Sequence, residues 1–124
     1  MKAIVIYPSG QVLAENLPQP THKGCADKVG GLFEIVYRPM RLKQPYCMIV
    51  NEDFLRLELP INPVGCYLYG ADQHGHPICG TIVISKIQGP DLVSLTDNEA
   101  KEISKTMTRL MDLLKEENIY GDKK

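Results

Sequence analysis

The sequence lacks the residue patterns on which most catalytic and cofactor assignments rest. Its 124 residues contain no tryptophan, only three histidines and only four cysteines. It has neither a GxxxxGK[ST] nor a GxGxxG motif, so neither class of phosphate-binding glycine loop is indicated. The acidic residues do not form the pairs that glycosidase-type acid–base catalysis needs, and Glu52 and Asp53 lie in a predicted turn.

An excess of charge of either sign is also missing. The formal net charge is −1, which excludes an acidic mimic of DNA and a generally basic nucleic-acid binder. No apolar run is long enough to span a membrane, and the first apolar segment is too short for a signal-peptide core. The cysteines form no CxxC pair and are too scattered to suggest disulfides. We therefore expect a cytoplasmic protein that does not associate with membranes.

The order of apolar runs and turn residues predicts an α+β domain with a mostly antiparallel sheet. One domain is expected at this length, over residues 1–121, with 122–124 as a short charged tail. Helices are predicted to begin at Thr21 and Asn62, both as N-cap residues, and a longer one near Thr96. Strands are predicted within 1–7, 11–16, 32–37, 46–50, 54–59 and 78–87.

The stretch from Tyr46 to Ile87 is predicted to be the unit on which the remaining segments pack. It is followed by the clearest helical pattern in the chain, in which Thr96 and Glu99 form a capping box and Gly121 is the expected stop. This helix has one apolar stripe, predicted to cover a face of the sheet, formed by Ile103, Met107, Leu110, Met111 and Leu114.

Three segments carry a resemblance to a known family: Met1–Gly10 (MKAIVIYPSG), Val50–Asn62 (VNEDFLRLELPIN) and Tyr67–Ile84 with its Gly80. In these the chain resembles the family catalogued as domain of unknown function 3846. It departs from the family pattern at Asp53-Phe54, where a Gly is expected, and at Gly80-Thr81, where Gly-Pro is expected. The resemblance implies a setting in bacteria, phages and integrative elements, and it implies no reaction, cofactor or catalytic residue.

The sequence Cys66…His74-Gly-His76-Pro-Ile-Cys79 contains the ligand types of a tetrahedral zinc site. Asp72 offers an additional oxygen ligand. The spacing matches no standard zinc finger or ribbon, and the alternative is a loop with two exposed histidines beside two buried thiols. Zinc is therefore one hypothesis, and the absence of a cofactor is the other.

A basic loop, residues 38–45, is the candidate for binding a ligand or nucleic acid. Its cations would contact phosphates while the flanking tyrosines stack on bases; an ordinary solvated loop is the alternative. The residues of this candidate site are Arg38, Arg41, Lys43, Tyr37 and Tyr46.

Two cysteine–histidine pairs are also candidates for nucleophilic sites. His22 and Cys25 lie three residues apart on a predicted helix. His76 and Cys79 are also three residues apart, at the end of the polar loop. Neither pair has an identifiable orienting acid or oxyanion site, so Cys25 is expected to pack inward and His22 to be solvated.

These observations leave three functional hypotheses. The first is an accessory protein of a phage or mobile element that binds a macromolecular partner without catalysis; a protein partner is expected, and a homodimer and nucleic acid remain open. The second is a small-ligand or nucleotide binder that uses loop 38–45 with Tyr67 and Tyr69. The third is a zinc-binding module at Cys66, His74, His76 and Cys79.

Overall fold

The computed structural model of the protein describes residues 1–117, which form a sheet of six strands and four helices. The α+β class and the long helix near the C-terminus are confirmed. The predicted helix stop at Gly121, the domain end at 121 and the tail 122–124 lie outside the described residues. The elements in chain order are β1 (Lys2–Ile6), β2 (Val12–Asn16), α1 (Thr21–Val29), β3 (Phe33–Val36), β4 (Tyr46–Asn51), α2 (Pro63–Tyr69), α3 (Ala71–His74), β5 (Ile82–Gln88), β6 (Asp91–Val93) and α4 (Asp97–Glu117).

Every strand pairing in the described sheet is antiparallel. The spatial order is β2-β1-β5-β4-β3, and β6 pairs with the end of β5. The two strands of the predicted central unit, β4 and β5, lie side by side in the middle of the sheet, where Ile82, Val83, Ile84 and Ser85 are fully buried.

Helices cover both faces of the sheet, which explains why the central strands are apolar on both sides. On one face, α1 places Cys25 and Val29 against a cluster that includes Val5, Ile49 and Val83. On the other face, α2 and α4 pack over Ile4, Met48, Ile84 and their neighbours. The predicted stripe of α4 is confirmed, because Ile103, Met107, Met111 and Leu114 are buried there and Leu110 is partly buried.

The predicted strand over residues 54–59 is wrong. This segment forms consecutive turns, in which the Leu57 N–H donates to the Asp53 carbonyl and the Leu59 N–H donates to the Phe54 carbonyl. Its apolar residues do not share a buried face, because Phe54 is buried whereas Leu55 and Leu57 are exposed. Local hydrogen bonds therefore satisfy this backbone in place of a strand partner.

Three smaller features also differ from the sequence-based expectation. The polar segment after Gly70 contains one helical turn, α3, and residues 91–93 return along β5 as the unpredicted strand β6. Thr21 is the first residue of α1 and not its cap, since the N-cap position is occupied by Pro20 and no side chain caps it. Among residues 1–117, no helix has the length and apolar character needed to cross a membrane.

Candidate functional site

Arg41 fixes the basic loop onto the helices that follow β4. Its guanidinium donates to both carboxylate oxygens of Asp72, at 3.0 Å each, and to the Tyr67 carbonyl at 2.9 Å. It also lies over the Tyr67 ring, 4.7 Å from the centroid. A bidentate ion pair of this kind orients the loop strongly. Arg41 would therefore contact a ligand while it remains paired with Asp72.

The loop and α4 enclose a surface groove that we call the Tyr46 groove, with a volume of about 660 Å³. Leu42, Ile103 and Met107 supply its apolar part, and polar groups of both charges supply the rest. Its full lining is Arg41, Leu42, Lys43, Tyr46, Asn98, Glu99, Glu102, Ile103, Thr106 and Met107.

Glu99 organises the charged groups in the Tyr46 groove. One of its oxygens accepts from Lys86 Nζ at 2.7 Å and from the Thr96 N–H at 2.9 Å, while Tyr46 Oη donates to the other at 3.4 Å. The hydrogen bond from Lys86, followed by that from the Thr96 N–H, lowers the pKa of Glu99. Burial and the nearby Glu99 carboxylate raise the pKa of Tyr46. The groove thus places a phenol beside the carboxylate to which it donates, an arrangement of polar groups that suits binding.

The structure divides the predicted ligand site in two. Arg41, Lys43 and Tyr46 meet in the Tyr46 groove, whereas Tyr37 and Arg38 line a separate cavity of about 350 Å³ with Gln44, Pro45 and Ile87. The division follows from the path of the loop, because the backbone N–H of Arg41 is anchored on the Leu68 carbonyl, at 2.9 Å.

The four predicted zinc ligands are not assembled into a metal site. Cys66 is buried, and its thiol accepts from the Ile78 N–H and donates to the Ile78 carbonyl, at 3.3 and 3.4 Å. Burial raises the pKa of the Cys66 and Cys79 thiols, which disfavours the thiolates that zinc requires. Within the described part of the chain, no group of three or more His, Cys, Asp or Glu side chains is placed to hold a metal ion.

The two loop histidines instead pack on an aromatic side chain. The rings of His74 and His76 lie 4.6 and 5.2 Å from that of Tyr69, and His76 Nε2 lies 3.0 Å from Tyr69 Oη. The proposed extra ligand, Asp72, is bound by Arg41. In the described structure, the two histidines therefore contact Tyr69, and Asp72 contacts Arg41.

The pair formed by His22 and Cys25 does not form a nucleophilic site. His22 is exposed, whereas Cys25 has no exposed surface and burial raises the pKa of its thiol. Cys79 is likewise buried, while His76 is exposed and faces Tyr69.

The outer edge of β3 is a free sheet edge whose strand the sequence does not identify. Within the described residues, β3 pairs only with β4. The Glu52 N–H donates to the Leu32 carbonyl, so the antiparallel register turns the backbone groups of Glu34 towards β4 and those of Phe33 and Ile35 outward. Leu32 and Tyr37 flank this edge and are 69% and 58% exposed. Pairing order is non-local, and no signal in a single segment reveals which strand will be at the edge.

Comparison with known proteins matches the chain to a family. The model of the family described as Domain of unknown function (DUF3846) matches residues 1–108, which extends from β1 into α4. No curated protein and no solved structure matches the chain.

Proposed function

We propose that this chain, which belongs to the domain of unknown function 3846 family, binds a macromolecular partner without catalysis. The partner is a protein that adds an extended segment to the outer edge of β3. The setting implied by the resemblance, a phage or an integrative element, makes a host or element-encoded protein the natural partner.

The observation that supports this proposal is the unprotected state of the β3 edge. Natural sheets usually protect an edge with lysine, proline, a bulge or a covering segment. The four residues of β3, Phe33–Val36, contain neither lysine nor proline, and Glu34 is their one charged residue. The outward N–H and C=O groups of Phe33 and Ile35 offer the hydrogen bonds of a further strand, and the exposed Leu32 and Tyr37 offer apolar contacts beside them.

Lysines at the flanks of the edge test this surface. The variant Leu32→Lys/Tyr37→Lys adds two charges at exposed positions and should lose the partner while it remains folded. The control is Leu113→Lys, which adds a charge at an exposed leucine of α4. The measurement is capture from bacterial lysate followed by native mass spectrometry, with hydrogen exchange at the Phe33 and Ile35 amides in the isolated complex.

The expected result is a complex of fixed stoichiometry with the wild type and with Leu113→Lys, and slowed exchange at the two amides. Retention of the same complex by the edge variant, or unchanged exchange at Phe33 and Ile35, would contradict the proposal.

The Tyr46 groove supports a second candidate function, the binding of a small ligand such as a nucleotide. The observation in its favour is that Arg41, Lys43 and Tyr46 converge on one partly apolar groove. Native mass spectrometry of gently purified protein should show a nucleotide-sized mass excess, with matching absorbance at 260 nm. Lys43→Glu should abolish the excess, and Lys23→Glu, on α1, should retain it. A clean apo mass for the wild type would remove this candidate.

A further inference from the structure

Three cationic side chains form a row on one flank of α4 that neither proposed site uses. Lys101, Lys105 and Arg109 are spaced four residues apart, so they project from the same side of the helix. At a rise of about 1.5 Å per residue, the first and last lie about 12 Å apart along the axis. We call this row the α4 flank.

The three cations of the α4 flank differ from most other lysines and arginines in residues 1–117 because no ion pair neutralises them. Ion pairs hold Lys2, Lys23, Lys28, Arg41, Arg56 and Lys86. Within residues 1–117, no such pair involves any of the three α4 flank residues. Like charges spaced four residues apart destabilise a helix, so the row does not serve the stability of α4.

The row borders an open groove between α4 and the β1–β2 hairpin, with a volume of about 780 Å³. The small side chains of Ala14 and Ala100 leave the groove accessible, and Ser104 and Thr108 add hydroxyl donors between the cations. Two acidic residues also line it. Asp97 is already bound by Lys2, at 2.8 Å, and Asp112 lies on α4 beyond Arg109. The central part of the groove is therefore cationic.

We propose that the α4 flank binds the phosphate backbone of double-stranded DNA without reading its sequence. A duplex presents one negative charge per about 1.7 Å of its axis, so the row spans several phosphates. Hydroxyl donors between the cations suit phosphate oxygens. The described lining has no aromatic side chain on which the bases of a single strand would stack, which favours the duplex over single-stranded nucleic acid.

The strength of this binding follows from the number of contacts. Three neutralised phosphates give a slope of about −2.7 in a plot of log affinity against log salt, or about a 40-fold loss between about 50 and about 200 mM salt. Fluorescence anisotropy with a labelled duplex of arbitrary sequence, about 20 base pairs long, measures both affinity and slope.

Two triple variants make the test specific. Lys101→Gln/Lys105→Gln/Arg109→Gln should lower the affinity at least about tenfold at low salt and bring the slope close to zero. The control, Lys23→Gln/Lys28→Gln/Arg56→Gln, removes the same number of charges from α1 and from the turns after β4 and should retain binding and slope. Circular dichroism melts check that both variants fold.

Three outcomes would overturn the proposal: a wild type that leaves the anisotropy unchanged at low salt, a control that loses as much affinity as the α4 variant, or a labelled oligoglutamate that binds more tightly than the duplex. The α4 flank faces the β2 end of the sheet, opposite β3. The outcome is therefore independent of the edge variants proposed above.

Discussion

Asn62 shows how one buried polar side chain joins three segments of the protein. Its amide nitrogen donates to the carbonyls of Ile6 and Gly80, at 3.0 and 2.9 Å, and its oxygen accepts from the Gly65 N–H at 3.0 Å. It therefore caps α2 and connects that helix to the end of β1 and to the segment before β5. The sequence predicted the cap, because Asn before Pro63 is a common helix start. It did not predict the two carbonyl partners, which are 56 and 18 residues away.

At the residue scale, Asn62→Ala should lower the free energy of unfolding by about 3 kcal/mol, since it removes the cap and two buried hydrogen bonds to backbone carbonyls. Urea denaturation measures the change. Asn16→Ala, at an exposed position on β2, is the control and should change stability by less than about 0.5 kcal/mol. A loss at Asn62 as small as that of the control would mean that other groups satisfy the three backbone partners.

At the scale of elements, α4 was the most predictable part of the chain, because its start is encoded locally. The Glu99 N–H donates to Thr96 Oγ1 at 3.1 Å, and the Thr96 N–H donates to the Glu99 carboxylate at 2.9 Å, as the predicted capping box requires. Thr96→Ala should lower the free energy of unfolding by about 1 kcal/mol. Thr108→Ala, at an exposed position within the same helix, should have no cost or a small gain, because alanine has the higher helix propensity. Equal effects of the two substitutions in thermal melts would contradict the capping role.

Elements that depend on distant partners were the ones that the sequence could not specify. The run at residues 54–59 has strand-like composition, but within residues 1–117 no strand pairs with it, and local turns form instead. β6 is only three residues long and exists through pairing with β5. The candidate sites follow the same rule: Lys43 and Tyr46 are close in sequence and were predicted together, but their meeting with Glu99 depends on where α4 packs.

At the scale of the whole molecule, three ion pairs within residues 1–117 join a helix to a strand. Lys28 binds Glu15 at 2.7 Å, Lys86 binds Glu99 at 2.7 Å and Lys2 binds Asp97 at 2.8 Å. They connect α1 to β2, β5 to α4, and β1 to α4. The hydrogen bond from Lys86 lowers the pKa of Glu99, and the hydrogen bond from Lys2 lowers the pKa of Asp97. Burial acts to raise the pKa of Glu15, but hydrogen bonds from Lys28 and Tyr7 outweigh it, so this pKa is also lowered.

These pKa values make stability depend on acidity with a definite sign. The folded protein holds these protons less tightly than the unfolded chain, whose glutamates titrate near 4.5. The stabilisation is therefore complete above that value and is lost as the pH falls through the lower pKa values of the folded state.

Thermal melts between about pH 3 and about pH 7 should show this loss. Glu15→Gln should lower stability at neutral pH and flatten the acid slope, whereas Glu52→Gln, at an exposed turn residue, should leave the slope unchanged. A wild-type slope that persists in Glu15→Gln would place the acid sensitivity in the two pairs that hold α4, and the double variant Glu15→Gln/Glu99→Gln would then separate their contributions.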